Sequence, residues 1–209
     1  MDEIIQFFQK IRIIPVVTIH KVADAAPLAD ALVGGGLPCA EITFRTKEAV
    51  AVIERLSRRA DILTGAGSVL MAEQAKTAIA AGAKFIVSPG LNSKVVQFCV
   101  ENAIPVFPGA CTPTDFTMAL EYGLKIVKFF PAESLGGIKT LKAMAAPFPM
   151  LKFIPTGGIT QHNILDYLKL PQVLACGGSW MVKEEFLQEK KFDTIQELVK
   201  EAVILVKQI

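Results

Sequence analysis

The chain has 209 residues, 52% of them apolar, and carries 22 Lys and Arg against 20 Asp and Glu. That length suits one large domain or two small ones, while a near-neutral charge without a basic cluster and the lack of any apolar run of spanning length speak against nucleic-acid and membrane partners. The acidic start Met1-Asp2-Glu3 is unlike a secretory signal, and Cys39, Cys99, Cys111 and Cys176 lack CxxC spacing, so a reduced, disulfide-free cytoplasmic protein is expected, with one domain over residues 1–209 because no Ser/Pro-rich linker divides it.

Residues 2–10 form a short amphipathic helix, with Ile4, Ile5, Phe7 and Phe8 clustered on one side. Ile13 to Ile19 is a β-branched strand. A helix over 21–33 closes at Gly34-Gly35-Gly36. Cys39 to Phe44 is a second strand, after which Thr46 caps a helix over 47–58. Ile62 to Gly67 is a third strand, followed by an alanine-rich helix over 71–81. Phe85 to Ser88 and Ile104 to Phe107 are strands ended by Pro-Gly pairs, with a helix over 93–101 between them. Thr112-Pro113-Thr114-Asp115 starts a helix that stops at Gly123. The strand Ile126–Phe130 follows, then a helix over 138–145. Leu151 to Pro155 and Val173 to Cys176 are the last strands, separated by a helix over 161–168. Asp193-Thr194-Ile195-Gln196 resembles a capping box opening a helix to about 207, and Lys183-Glu184-Glu185 reads as a solvated loop. Eight short strands alternating with about eight helices imply a parallel sheet, and the count is that of a single (β/α)8 TIM barrel with an extra N-terminal helix. A doubly wound open sheet is the alternative, and the first strand lacks the phosphate loop it usually carries.

Lys128 is an amine among apolar neighbours, so it is either the partner of a buried carboxylate or an activated nucleophile. Strand alternation decides what it meets. If Ile42 and Phe44 face the helices, then Glu41, Arg45, Lys128 and Thr156 point into the barrel near its C-terminal end. Four convergent polar groups beside glycine-rich turns favour a reactive site over an ion pair that only fixes register. Thr156-Gly157-Gly158 and Gly177-Gly178-Ser179 follow the seventh and eighth strands, where barrels bind phosphate through backbone N–H groups. Gly65-Ala66-Gly67-Ser68 adds a hydroxyl near the same mouth. Lys183 is a rival amine. His20 and His162 are too few and too separated for a metal site, Trp180 packs under the last loop or lines the pocket, and Glu133 orders the loop after Pro131.

The segments VKFFPAE (127–133), EITFRT (41–46), GAGS (65–68), SPG (88–90), PTGGI (155–159) and GGSW (177–180) together resemble the class I 2-dehydro-3-deoxy-phosphogluconate/4-hydroxy-2-oxoglutarate aldolases. The resemblance runs from about Ile13 to the C-terminus. It implies a homotrimeric (β/α)8 barrel that uses a Schiff-base lysine and no metal or other cofactor. Carried over, Lys128 is the Schiff-base residue and Glu41 the general acid/base. Arg45 binds the substrate carboxylate, assisted by Ser68, where the family commonly has threonine. Thr156, Pro89 and Phe130 are substrate contacts, and Gly157, Gly158, Gly178 and Ser179 hold the phosphate. The implied reaction cleaves 2-dehydro-3-deoxy-6-phosphogluconate to pyruvate and glyceraldehyde 3-phosphate, and 4-hydroxy-2-oxoglutarate to pyruvate and glyoxylate. The galactonate epimer, an isomerase or synthase using Glu41 as base, and a non-catalytic barrel that binds sugar phosphates remain as alternatives.

Overall fold

The β-branched and aromatic runs form short parallel strands, each followed by a helix. The computed structural model describes residues 2–209. The strands are β1 (Ile13–Val17), β2 (Cys39–Thr43), β3 (Leu63–Gly67), β4 (Ile86–Val87), β5 (Val106–Phe107), β6 (Ile126–Phe129), β7 (Lys152–Pro155) and β8 (Cys176–Gly178). The helices are α1 (Asp2–Ile11), α2 (Ala25–Gly34), α3 (Ala49–Ser57), α4 (Ala72–Ala80), α5 (Ser93–Glu101), α6 (Pro113–Glu121), α7 (Gly137–Ala145), α8 (Ile164–Leu168), α9 (Glu184–Gln188) and α10 (Phe192–Val206). Six strands form one curled parallel sheet in the order β5-β4-β3-β2-β1-β8, and β6 pairs with β7. Single parallel bridges join Gly109 to Lys128, Phe153 to Val173 and Thr156 to Gly177.

Alternation along the strands sorts the apolar side chains into two layers. Val17, Ile42, Val127, Phe129 and Phe153 pack against the helices in the larger core. Ile14, Cys39, Phe85, Val87, Phe107, Ile126 and Ile154 form a second cluster on the opposite face of the strands. Phe8 of α1 joins this inner cluster, its ring edge-on to Phe85 at 5.1 Å and 5.4 Å from Phe107. Cys39 and Ile126 open their strands, so α1 covers the N-terminal end of the sheet. Burying its apolar face there stabilises both partners. The buried polar side chains Glu41, Thr43, Lys128 and Thr156 lie towards the C-terminal ends of their strands.

Several local expectations are corrected. Thr46 does not cap α3, which begins at Ala49 after Glu48; its hydroxyl donates to the Ile19 carbonyl at 2.8 Å instead. Asp193 lies inside the first turn of α10, which starts one residue earlier at Phe192. The last strand comprises Cys176–Gly178, so its two glycines continue the strand rather than end it. Residues Glu184–Gln188 form a short helix where a loop is expected, with both acids in its first turn, where the helix dipole favours them. The helix after β7 begins at Ile164, and His162 lies exposed in the turn before it. The Thr112 box is present as read: Thr112 accepts from the Asp115 N–H at 3.2 Å, and Asp115 accepts in return from the Thr112 N–H at 2.9 Å.

Candidate active site

Lys128 enters the inner face because β6 alternates, with Ile126 and Lys128 inward and Val127 and Phe129 against the helices. Its ammonium donates to Glu41 Oε1 at 3.3 Å, and the two side chains are only 7% and 4% exposed. Charges withdrawn from water to this degree persist only when paired. The ring of Phe130 lies 5.1 Å from Lys128 Nζ and shields it on another side. The position of Glu41 depends on Gly67, opposite Thr43 in the sheet. A Cβ at Gly67 would sit 2.2 Å from Glu41 Oε1, so the carboxylate occupies space that any side chain there would fill. Cys39, two residues before Glu41 on the same face, has its thiol pKa pushed well above the usual range by burial and then by the Glu41 charge. That thiol is therefore a packed, unreactive group.

Arg45 extends beyond β2 and is exposed. Its Nε donates to Ser68 Oγ at 3.2 Å. Ser68 itself adopts φ 56, a left-handed conformation uncommon for a side-chain-bearing residue and concentrated at functional turns. A cavity of about 620 Å³ opens beside these groups and is lined by Arg45, Phe130, Thr156, Gly157, Gly158 and Ser179, with Val16 and Thr18 from the β1 side. Lys128 and Glu41 are buried and do not line it directly. The volume suits a small ligand of several carbons.

The loop after β7 is held from below. The Ala132 N–H donates to the Thr156 carbonyl at 2.8 Å and the Glu133 N–H to the Gly157 carbonyl at 3.1 Å. Glu133 in turn accepts from the Tyr167 hydroxyl. Burial and then this hydrogen bond raise the Tyr167 pKa well above the usual phenol range. Gly158 has φ +79, and a Cβ there would lie 2.6 Å from Glu133 Cβ, so only glycine lets this loop pass so close. Glu133 thus orders the loop, as its place after Pro131 suggests.

The structure therefore brings Lys128, Glu41, Arg45, Ser68, Phe130, Thr156, Gly157, Gly158 and Ser179 to one region. Pro89 instead lines a shallow neighbouring depression with Leu70 and Leu91. Gly178 is buried under the ring of Trp180, which fills the space a Cβ would need. Lys183 is exposed, 3.5 Å from Glu185, and both line the cavity wall together with Glu184. His20 Nε2 lies 3.0 Å from Glu184 Oε2 across the same rim. Thr18 escaped notice in the sequence, although it continues the inward alternation of Ile14 and Val16. Among the described residues no group of three or more His, Cys, Asp or Glu could hold a metal ion, and no helix is long and apolar enough to cross a membrane. The chemistry offered is that of a sheltered amine beside a carboxylate, with a guanidinium and glycine-rich backbone lining the adjacent cavity.

The family model for KDPG and KHG aldolase matches residues 4–198. The 2-dehydro-3-deoxy-phosphogluconate aldolase of Treponema pallidum is 45% identical over 207 residues, covering 99% of both chains. A crystal structure of the 2-keto-3-deoxy-6-phosphogluconate aldolase of Zymomonas mobilis with 3-phosphoglycerate superposes with a TM-score of 0.90 at 38% identity, over 95% of this chain and 94% of that one. The KDPG aldolase of Legionella pneumophila, with pyruvate captured at low pH as a covalent carbinolamine intermediate, gives a TM-score of 0.90 at 40% identity, over 93% of this chain and 95% of that one. With a family match across most of its length and relatives at this level of identity, the chain belongs to the KDPG and KHG aldolase family.

Proposed function

We propose that the chain is a class I aldolase that cleaves 2-dehydro-3-deoxy-6-phosphogluconate to pyruvate and glyceraldehyde 3-phosphate, and 4-hydroxy-2-oxoglutarate to pyruvate and glyoxylate. The observation that carries this reading is the buried amine of Lys128 lying 3.3 Å from Glu41. Lys128, as the free amine, attacks the C2 ketone of the 2-oxo acid, and loss of water gives an iminium. The iminium accepts the electron pair of the C3–C4 bond while Glu41, through a water, takes the proton of the C4 hydroxyl. The aldehyde leaves, the enamine is reprotonated at C3, and a second water releases pyruvate and restores Lys128. The iminium itself takes up the electron pair of the C3–C4 bond, so the sequence of steps needs no metal or other cofactor.

Arg45 and Ser68 bind the C1 carboxylate. Thr156 and Phe130, which line the cavity, contact the carbon chain. Backbone N–H groups at Gly157 and Gly158, with the Ser179 hydroxyl, receive the phosphate. The bridges from Gly109 to Lys128 and from Thr156 to Gly177 support closure of the eight strands into a (β/α)8 barrel formed by one domain over residues 1–209. A homotrimer is proposed on the family likeness, and a reducing cytoplasmic setting on the four free cysteines. Incubation with pyruvate and borohydride tests the central step. A single adduct on Lys128 that disappears in Lys128→Ala is expected. Full turnover by Lys128→Ala, or an adduct on Lys183 alone, overturns the reading.

A further inference from the structure

One threonine that lines the cavity has no part in the chemistry above. Thr18, just beyond β1, lines the cavity together with Arg45, Thr156, Gly158 and Ser179. Its Oγ1 lies 3.1 Å from Thr43 Oγ1. Thr43 is 1% exposed, and its hydroxyl donates to the Val17 carbonyl at 3.0 Å. A hydroxyl has one proton and two acceptor sites. The Thr43 proton is already committed, so Thr18 donates in the contact between the two. Thr18 Oγ1 therefore offers the cavity acceptor capacity alone.

The sheet order places this acceptor along the substrate. Strand β1 lies between β2 and β8. Arg45 follows β2 and Ser179 follows β8. On the aldolase reading, on which this step rests, the carboxylate sits at the first and the phosphate at the second, so the middle carbons pass β1. Glu41 takes the proton of the C4 hydroxyl. We infer that Thr18 accepts a hydrogen bond from the C5 hydroxyl and so is a specificity-determining residue favouring phosphorylated polyol acids over 4-hydroxy-2-oxoglutarate. The latter carries a carboxylate at C5, which has no proton to give and meets an acceptor unpaired. A polar site built for a hydroxyl discriminates against analogues that lack it.

The test runs the reaction towards condensation, with pyruvate and either glyceraldehyde 3-phosphate or its 2-deoxy analogue, 3-phosphooxypropanal. The aldehyde's C2 becomes C5 of the product, so the pair isolates that one hydroxyl. Thr18→Val lowers kcat/KM about tenfold more for glyceraldehyde 3-phosphate than for the analogue, the size of one neutral hydrogen bond. Thr18→Ser restores most of the difference. In cleavage, Thr18→Val shifts the ratio of kcat/KM values towards 4-hydroxy-2-oxoglutarate. Equal penalties with both aldehydes overturn the inference, because Thr18 would then act only by steadying Thr43; so does the absence of any penalty, or failure of Ser to rescue. Wild-type protein that forms no borohydride adduct with pyruvate fails at the earlier step and removes the aldolase reading itself.

Discussion

Gly67→Ala places a methyl group where the Glu41 carboxylate now lies. The new Cβ would stand 2.2 Å from Glu41 Oε1, 2.6 Å from its Cγ and 2.8 Å from its Cδ. Ordinary contact begins near 3.4 Å, so about 1.2 Å of separation must be found. Gly67 is the last residue of β3, paired with Thr43 of β2, and the Phe44 N–H donates to its carbonyl at 2.7 Å. The backbone is therefore the stiffer partner, and the Glu41 side chain moves. Its contact with Lys128 is 3.3 Å, already at the long end for a hydrogen bond, and a shift of this size breaks it. Under the role proposed for Glu41, misplacement by about 1 Å costs on the order of 10²-fold in rate, within the range for losing a general acid or base. Pyruvate release, followed through lactate dehydrogenase and NADH, is expected to show kcat reduced about 10²-fold. Borohydride trapping of pyruvate on Lys128 should persist, because carbinolamine formation needs the amine rather than the C4 proton acceptor. Wild-type kcat refutes the reasoning. So does a loss of activity matched by loss of the folded state in circular dichroism, since the damage would then be to the strand.

Phe8→Ala empties a fully buried site between the rings of Phe85 and Phe107. A loss of about 3–5 kcal/mol in urea unfolding is expected, with the Lys128 adduct still formed in the protein that remains folded. Tyr167→Phe removes the hydrogen bond to Glu133 beneath the loop after β7 and costs about 1 kcal/mol at neutral pH, because Glu133 is exposed and water replaces the donor. Tyr167 holds its proton more tightly folded than unfolded, so its contribution is complete below the ordinary phenol value of 10.0 and is lost as pH rises beyond it. The variant should therefore show a shallower alkaline decline in Tm. Lys128→Met alone leaves the Glu41 charge buried without a partner and is expected to destabilise by about 3–5 kcal/mol, whereas Lys128→Met with Glu41→Met is near neutral or more stable than wild type. Denaturant titration of the three proteins checks the order.

The alternation of strand and helix was legible because the strands are short apolar runs, six of the eight closed by Gly or Pro, separated by helical patterns. The inward set was legible for the same reason: once Ile42 is assigned to the helix side, parity brings Glu41 and Lys128 to the opposite face, where they meet at 3.3 Å. Parity applies only within strands, and most of the errors lie outside them. Thr46 has the residue type of a cap, but the Ile19 carbonyl outcompetes the helix for its proton. Lys183-Glu184-Glu185 looked solvated and is exposed, yet a five-residue helix carries it onto the cavity wall. Pro89 follows β4 as expected, but the loop turns it towards Leu70 and Leu91. Gly178 could not be placed from sequence because its environment is set by the Trp180 ring, two residues on in the chain and folded back over it.

The two readings of Lys128 differ in what they require of stability. An ion pair kept only to fix register has to justify the desolvation of two charges, and well-packed apolar residues usually do that task at lower cost. The surroundings here are arranged as though apolar packing were available and withheld. The inner face is filled by Ile126 and Cys39 at the starts of the same strands, and it turns polar only at their C-terminal ends. There the sequence gives up side-chain volume at Gly67 to admit a carboxylate and places the Phe130 ring against the amine. It also leaves a cavity of about 620 Å³ open above them. A register device needs no cavity, and a cavity beside a buried charge lets water in and weakens the pair. An amine awaiting a ketone needs both: shelter until the substrate arrives, and room for it to do so. The polar cluster therefore marks where the chain accepts a local cost in stability, which is how reactive groups are held in an otherwise consistent fold.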